Sequence, residues 1–363
     1  MKDRARKCLK NIKPYVPGKP IDEVKRELGL EEVIKLASNE NSLGSSPLAI
    51  QAARKALRDV NRYPDSSSYY LTRALARRFG LKPENFVIGN GSDEIIVLAV
   101  RAFVERGDEV VIARPTFLIY EIAAYAQEAR VRSVPLKNFR YDLRAMRSAI
   151  GPKTKMVFIA NPDNPTGTYV TKRELDEFIS GVSRRVVIFL DEAYYEFAEA
   201  QADYPNGVAY LNRPNVIVAR TFSKAYGLSG LRIGYAIADS VVAELLSRVK
   251  EPFNVNIVAQ AAALAALDDK KFLKKTTEHV RVEKKYLYRS FEEMGLAFIP
   301  SATNFILVDT GRVASSVYKA LLKKGVIVRD MSAWGFRTYI RVTIGTRKEN
   351  IRFVGALEEA LRQ

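Results

Sequence analysis

Short apolar runs recur along the first two thirds of the chain, each closed by a polar turn and separated from the next by a longer amphipathic segment. FVIG (86–89), EVVIA (109–113), MVFIA (156–160), VVIFL (186–190), VIVA (216–219) and IGYAIA (233–238) are short and almost wholly apolar. They read as strands buried on both faces. Between them EIIVLAVRAFVERG, FLIYEIAAYAQEA and KRELDEFISGVS carry a helical spacing of apolar positions. The alternation predicts an α/β fold, with a mostly parallel central sheet in a large domain over residues 40–250. Beyond Pro252 the pattern turns to long charged helices and then to NFILVDT, VIVRDM and YIRVTIG. These predict a smaller α+β domain made of residues 251–363, with residues 1–39 appended to it.

Composition narrows the chemistry. Of 363 residues, 47% are apolar and 27% charged, as expected of a globular chain long enough for more than one core. Cys8 is the single cysteine, which excludes an intrachain disulfide and a thiolate zinc cage. His279 is the single histidine, in TTEHVRVEKKYLY, whose charge spacing predicts a solvated helix; histidine triads and His-rich metal sites are excluded, and no metal is expected. The basic start MKDRARKCLKNIKPYVPG lacks the apolar core of a signal peptide. The longest apolar run, Ile257 to Leu267, is interrupted by Gln260 and is about half a membrane span. A cytoplasmic protein without a membrane partner is expected. The formal charge is +17, but lysines and arginines are scattered among acids, as in KKFLKKTTEHVRVEKK, so no nucleic-acid partner is expected. The excess reflects either an anionic cofactor and substrate or a solvated surface.

In an open parallel sheet, ligands bind beyond the carboxyl ends of the strands. The segments there are polar: Asn90-Gly91-Ser92-Asp93-Glu94 after FVIG, Asn161 to Gly167 after MVFIA, Asp191-Glu192-Ala193-Tyr194 after VVIFL, and Arg220 to Lys224 after VIVA. GNGSDE is not a dinucleotide fingerprint, because Glu94 stands where the third glycine belongs. Gly91 instead permits close backbone approach, and Ser92 and Asp93 open a helix whose N–H groups suit an anion, although an ordinary helix cap has the same sequence. Lys224 follows a buried strand, with hydroxyls before it and Arg232 beyond, which suits a nucleophilic amine. Asp191 ends an apolar strand, where a carboxylate is either paired or functional.

The ordered set SNEN, RYPD, GNGSDE, RPTF, NPDNPTG, DEAYYEF, TFSKAYGLSGLRIGY, VIVRDMSAWG and IRVTIGT resembles the class I/II aminotransferases of fold type I and, within them, the histidinol-phosphate aminotransferases. The resemblance is colinear over nearly the whole chain. It implies pyridoxal 5'-phosphate as cofactor, held as a Schiff base on Lys224, which then moves the proton between the substrate α-carbon and the cofactor. It implies that Asp191 pairs with the pyridine nitrogen and that Asn164 and Tyr194 hydrogen-bond the ring hydroxyl oxygen. Phe117 would stack on the ring. Gly91, Ser92, Asp93, Thr221, Ser223 and Arg232 would surround the phosphate, with Tyr63 reaching the phosphate of a neighbouring subunit in a homodimer.

On the substrate side the resemblance implies Tyr15, Asn164, Arg329 and Arg341, with the arginines binding the carboxylate of glutamate or 2-oxoglutarate and the phosphate of histidinol phosphate. The planar guanidinium suits both anions. The chain departs from the family pattern at Ser42 and Ser66, where proline is common, and at Trp334, where tyrosine is frequent. Trp334 leaves open an aromatic amino acid aminotransferase, and the shared anion pocket a threonine-phosphate decarboxylase. A non-catalytic relative acting as a DNA-binding regulator lacks support, since no helix-turn-helix extension is recognisable.

Overall fold

The computed structural model describes residues 4–14 and 17–362. A short strand, β1 (Ile34–Lys35), precedes seven that form the central sheet: β2 (Phe86–Gly89), β3 (Glu109–Arg114), β4 (Arg130–Pro135), β5 (Thr154–Ala160), β6 (Val187–Asp191), β7 (Val216–Thr221) and β8 (Gly234–Ala238). Their order in space is β2-β8-β7-β6-β5-β3-β4. All run parallel except β8, which is antiparallel to both its neighbours. Every residue of β6, β7 and β8 is buried, because helices cover both faces of the sheet, and this is why these strands read as unbroken apolar runs.

The edge strand β4 escaped the hydrophobic pattern. Its sequence RVRSVP has one buried residue, Val134, since one side of an edge strand meets water. The helix Lys172–Gly181 starts at a capping box, in which Thr171 Oγ1 accepts from Glu174 N and Glu174 Oε2 accepts from Thr171 N.

Five short strands follow: β9 (Phe298–Ile299), β10 (Phe305–Asp309), β11 (Val326–Ile327), β12 (Arg329–Asp330) and β13 (Tyr339–Thr343). Four form an antiparallel sheet in the order β12-β13-β10-β9, while β11 pairs in parallel with β1 and ties the N-terminal segment to this part of the chain. A second core, including Leu36, Leu287, Phe291, Ile306, Val342 and Phe353, lies between this sheet and the helices Lys270–Glu293, Ala314–Lys323 and Arg347–Arg362. The first core extends from Ala49 to Leu267 and takes in the buried side of the helix Ile257–Asp268, which packs on the helices Pro47–Ala56 and Tyr69–Phe79. His279 lies in the charged helix Lys270–Glu293, half-buried, within 3.0 Å of Gly345 O and 3.3 Å of Ser42 Oγ. Among the described residues no helix is long and apolar enough to cross a membrane.

Candidate active site

The carboxyl ends of β2, β5, β6 and β7 share one edge of the central sheet, and the segments after them close on a cavity of about 420 Å3. Ser92 and Asp93 reach it after β2, and Asn164 after β5. Asp191 and Tyr194 come from β6 and its continuation, and Thr221, Ser223 and Lys224 from β7 and its continuation. Phe117, Arg232, Arg329, Trp334 and Arg341 complete the wall. A larger groove of about 490 Å3 lies elsewhere, beside Arg140, Arg144, Arg147 and Arg173. Arg140 there is paired to Glu174 at 2.7 Å, and the groove contains neither a buried acid nor a buried amine.

Lys224 leaves β7 through a turn in which Gly227 N donates to Lys224 O at 3.1 Å and Ser223 N to Thr221 Oγ1 at 3.1 Å. Gly227, with φ +71°, brings the backbone against the chain at Gly44 and Ser45, whose Cα would be 2.9 Å from a Cβ there. The Lys224 amine donates to Ser38 O at 3.3 Å and lies 5.7 Å from the centre of the Tyr194 ring. Loss of water, reinforced by the Arg341 guanidinium, pushes this amine down to about 8. A substantial share is therefore uncharged just above neutral pH, the form in which an amine is a nucleophile and a base.

Asp191, the last residue of β6, is 5% exposed. Tyr120 Oη donates to its Oδ2 at 2.7 Å and Ala193 N to its Oδ1 at 3.1 Å. Burial pushes the carboxyl up to about 6, while the hydrogen bonds from Tyr120 and Ala193 act in the opposite direction. A cation delivered to the open side of this carboxylate would favour its charged form.

At the start of the helix Ser92–Phe103 the structure forms an anion cradle. Gly91 is buried with φ +82°, and a Cβ on it would collide with the Arg232 guanidinium, which lies across the helix start. Arg232 contacts Ser223 Oγ and Asp93 Oδ2, each at 3.3 Å, and donates to Ser229 O at 3.2 Å. Three hydroxyls, on Ser92, Thr221 and Ser223, line the same end. Asp93 balances part of the arginine charge.

The opposite end of the cavity holds the other two arginines. Arg341, 7% exposed, donates to Asn164 Oδ1 and, at 3.0 Å, to Ala37 O, and its guanidinium faces the Phe305 ring at 5.0 Å. Arg329 lies over the Trp334 ring at 5.0 Å, and Trp334 Nε1 donates to Thr116 O at 3.3 Å. Tyr15 lies outside the described residues. Tyr63 is not in the cavity of its own chain: it is 82% exposed and stacks on Phe253 at 4.7 Å.

Two residues of the site received no role from the sequence. Tyr120 sits in a segment read only as helix, yet its spacing of three from Phe117 carries both toward one face, and their rings meet edge to face at 5.7 Å. Asn39, within SNEN, donates to the Tyr194 hydroxyl at 2.8 Å. Among the described residues no group of three or more His, Cys, Asp or Glu side chains is placed to hold a metal ion.

The aminotransferase class I and II family matches residues 31–357. A protein of Moorella thermoacetica named histidinol-phosphate aminotransferase is 51% identical over 360 residues, covering 99% of this chain and 93% of its own length. Another, of Carboxydothermus hydrogenoformans, named histidinol-phosphate aminotransferase 2, is 46% identical over 357 residues, covering 98% and 99%. The crystal structure of histidinol-phosphate aminotransferase from Sinorhizobium meliloti in complex with pyridoxal-5'-phosphate superposes with a TM-score of 0.91 at 32% identity, covering 99% of this chain and 98% of that one.

Proposed function

The chain belongs to the class I and II aminotransferases, and from that premise we propose that it transfers an amino group between L-histidinol phosphate and 2-oxoglutarate, using pyridoxal 5'-phosphate bound at Lys224. The observation that carries the reading is one cavity with an anion cradle at one end, two arginines at the other, and a deprotonatable lysine and a buried acid between them. The cradle suits the cofactor phosphate, since the lack of a Cβ at Gly91 lets the Arg232 guanidinium lie across the helix start, within 3.3 Å of the Ser223 hydroxyl. When bound, the cofactor supplies an electron sink for the pair released at the substrate α-carbon.

The remaining work falls to side chains of this protein. Lys224 Nζ would hold the cofactor and, once released from it, would serve as the base and acid that moves the substrate α-proton. Asp191 would pair with the pyridine nitrogen and keep it protonated. Asn164 and Tyr194 would hold the ring hydroxyl oxygen, Phe117 would cover the ring, and Ser92, Thr221, Ser223 and Arg232 would hold the phosphate beside Gly91 and Asp93. Arg341 takes the carboxylate of glutamate, and with Arg329 and Tyr15 it takes the phosphate of histidinol phosphate.

The reading includes a homodimer in which Tyr63 completes the neighbour's phosphate site. Its support is that Tyr63 lies exposed in a stretch with further exposed apolar side chains, Leu57, Val60 and Tyr70. A cytoplasmic location and a division into a large and a small domain belong to the same reading. The Trp334 ring on the Arg329 side of the cavity favours a second reading, an aromatic amino acid aminotransferase.

Borohydride reduction of the yellow protein followed by peptide mapping tests the assignment. The cofactor is expected on Lys224, and Lys224→Ala should lose both the visible absorption and nearly all turnover. Label on another lysine, or a colourless wild-type protein after incubation with pyridoxal phosphate, would contradict it.

A further inference from the structure

We infer that Tyr120 is a positioning residue for the reaction, holding Asp191 as an oriented carboxylate through its hydroxyl while its ring braces Phe117. The inference rests on the function proposed above and adds to it a residue that does not touch the reacting atoms.

The geometry leaves Tyr120 little freedom. Its side chain is 0% exposed, its ring is stacked on Phe158 at 4.6 Å with the planes 10° apart, and its edge meets Phe117 at 5.7 Å. Phe158 is itself fully buried in β5 and packs on Phe189 of β6, so the hydroxyl is fixed relative to the strand that carries Asp191. From there it reaches Asp191 Oδ2 at 2.7 Å. Ala193 N fixes the other oxygen. With one donor on each oxygen, the carboxylate plane is set by the protein before anything enters the cavity.

The charge balance calls for such a donor. Asp191 is buried, and the nearby carboxylates Asp93 and Glu192 both oppose its ionisation. Burial, then the Asp191 carboxylate and, more weakly, Tyr141 and Asp163, keep the Tyr120 phenol in its protonated, donating form. Tyr120 thus stabilises the charged state of Asp191 without bringing a competing charge. Lys224 and Arg232 face the same cavity, and neither is hydrogen-bonded to Asp191.

Tyr120→Phe keeps the stacked ring and removes only the donor. Pyridoxal phosphate titrated into the apo-protein should bind about 10- to 100-fold more weakly than to wild type, the range for a hydrogen bond to a charged group. The acid limb of cofactor binding against pH should move up by roughly one unit, because Asp191 becomes harder to ionise. In the Asp191→Asn background the same substitution should cost about threefold or less, since no charge remains to be stabilised. The thermal midpoint of apo Tyr120→Phe is the control for folding. An unchanged affinity and acid limb, or an equal loss in both backgrounds, would overturn the role of Tyr120. A wild-type protein that does not bind pyridoxal phosphate would instead overturn the proposed function, and this inference with it.

Discussion

The side-chain amide of Asn39 donates to the Tyr194 hydroxyl at 2.8 Å, while the backbone N–H of Asn39 donates to Thr343 Oγ1 at 2.9 Å. One residue therefore joins β13 of the smaller sheet to the loop after β6, at the edge of the cavity. Asn304, just before β10, donates to Asn39 O at 3.0 Å and fastens the same point.

Asn39→Ala removes the bridge and leaves an alanine at φ +55°, a left-handed conformation that asparagine tolerates better. The combined cost should be about 2–4 kcal/mol in unfolding free energy. Denaturant unfolding of the apo-protein measures it, and a loss under about 0.5 kcal/mol would show that the bridge contributes little.

Lys224 makes a pH-dependent contribution whose sign follows from its depressed pKa. Its amine titrates at about 8 in the folded protein and at its ordinary 10.5 when unfolded. Between those values the unfolded chain holds a proton that the folded one lacks, so this group's contribution to stability rises with pH across that window. Below about 8 both states are protonated and a constant penalty for the buried charge remains. Apo Lys224→Met should therefore be more stable than wild type at pH 7, by up to about 3 kcal/mol. The gap should narrow as pH climbs from 8 toward 10.5. Chemical denaturation at pH 7 and pH 10 distinguishes this from a pH-independent packing gain.

Behind the cavity, Arg220 on β7 pairs with Glu192 at 2.8 Å, both nearly inaccessible to water, and the guanidinium lies 3.4 Å from the centre of the Tyr195 ring. Arg220→Met leaves Glu192 buried and without its cation, which should cost about 3–5 kcal/mol. Adding Glu192→Gln should recover most of that loss, and thermal unfolding of the single and double variants reads it. If the double variant is no better than the single, the loss is one of packing around Tyr195.

Arg329→Ala should separate the two substrates. A phosphate dianion taken from water needs more than one cationic partner, whereas Arg341 alone can hold a carboxylate in a bidentate contact. Losing one partner of a desolvated charge costs about 2 to 5 kcal/mol, so kcat/KM for histidinol phosphate should fall roughly 30- to several-thousand-fold. For glutamate it should fall about tenfold or less. Equal losses would make Arg329 a structural residue.

The central sheet was legible because β6, β7 and β8 are buried on both faces and therefore have to be apolar throughout. The edge strand β4 and the two-residue strands β1 and β9 were not, since half-exposed or very short segments need no such run, while VIVRDM, read as one sheet segment, holds the two short strands β11 and β12. At the cavity, the motifs named the residues at strand ends, where the chain has to turn and where polar groups are conspicuous. Tyr120 and Asn39 escaped because their importance lies in a partner distant along the chain, Asp191 for one and Tyr194 for the other.

The most direct test of the proposed function is the rate of glutamate formation from 2-oxoglutarate by the purified, pyridoxal phosphate-loaded protein, with L-histidinol phosphate, phenylalanine and tyrosine compared as amino donors. The account predicts the highest kcat/KM for histidinol phosphate, with no release of carbon dioxide. A higher kcat/KM for phenylalanine or tyrosine would assign the cavity to aromatic amino acids, and carbon dioxide released from threonine phosphate without glutamate formation would make the protein a decarboxylase.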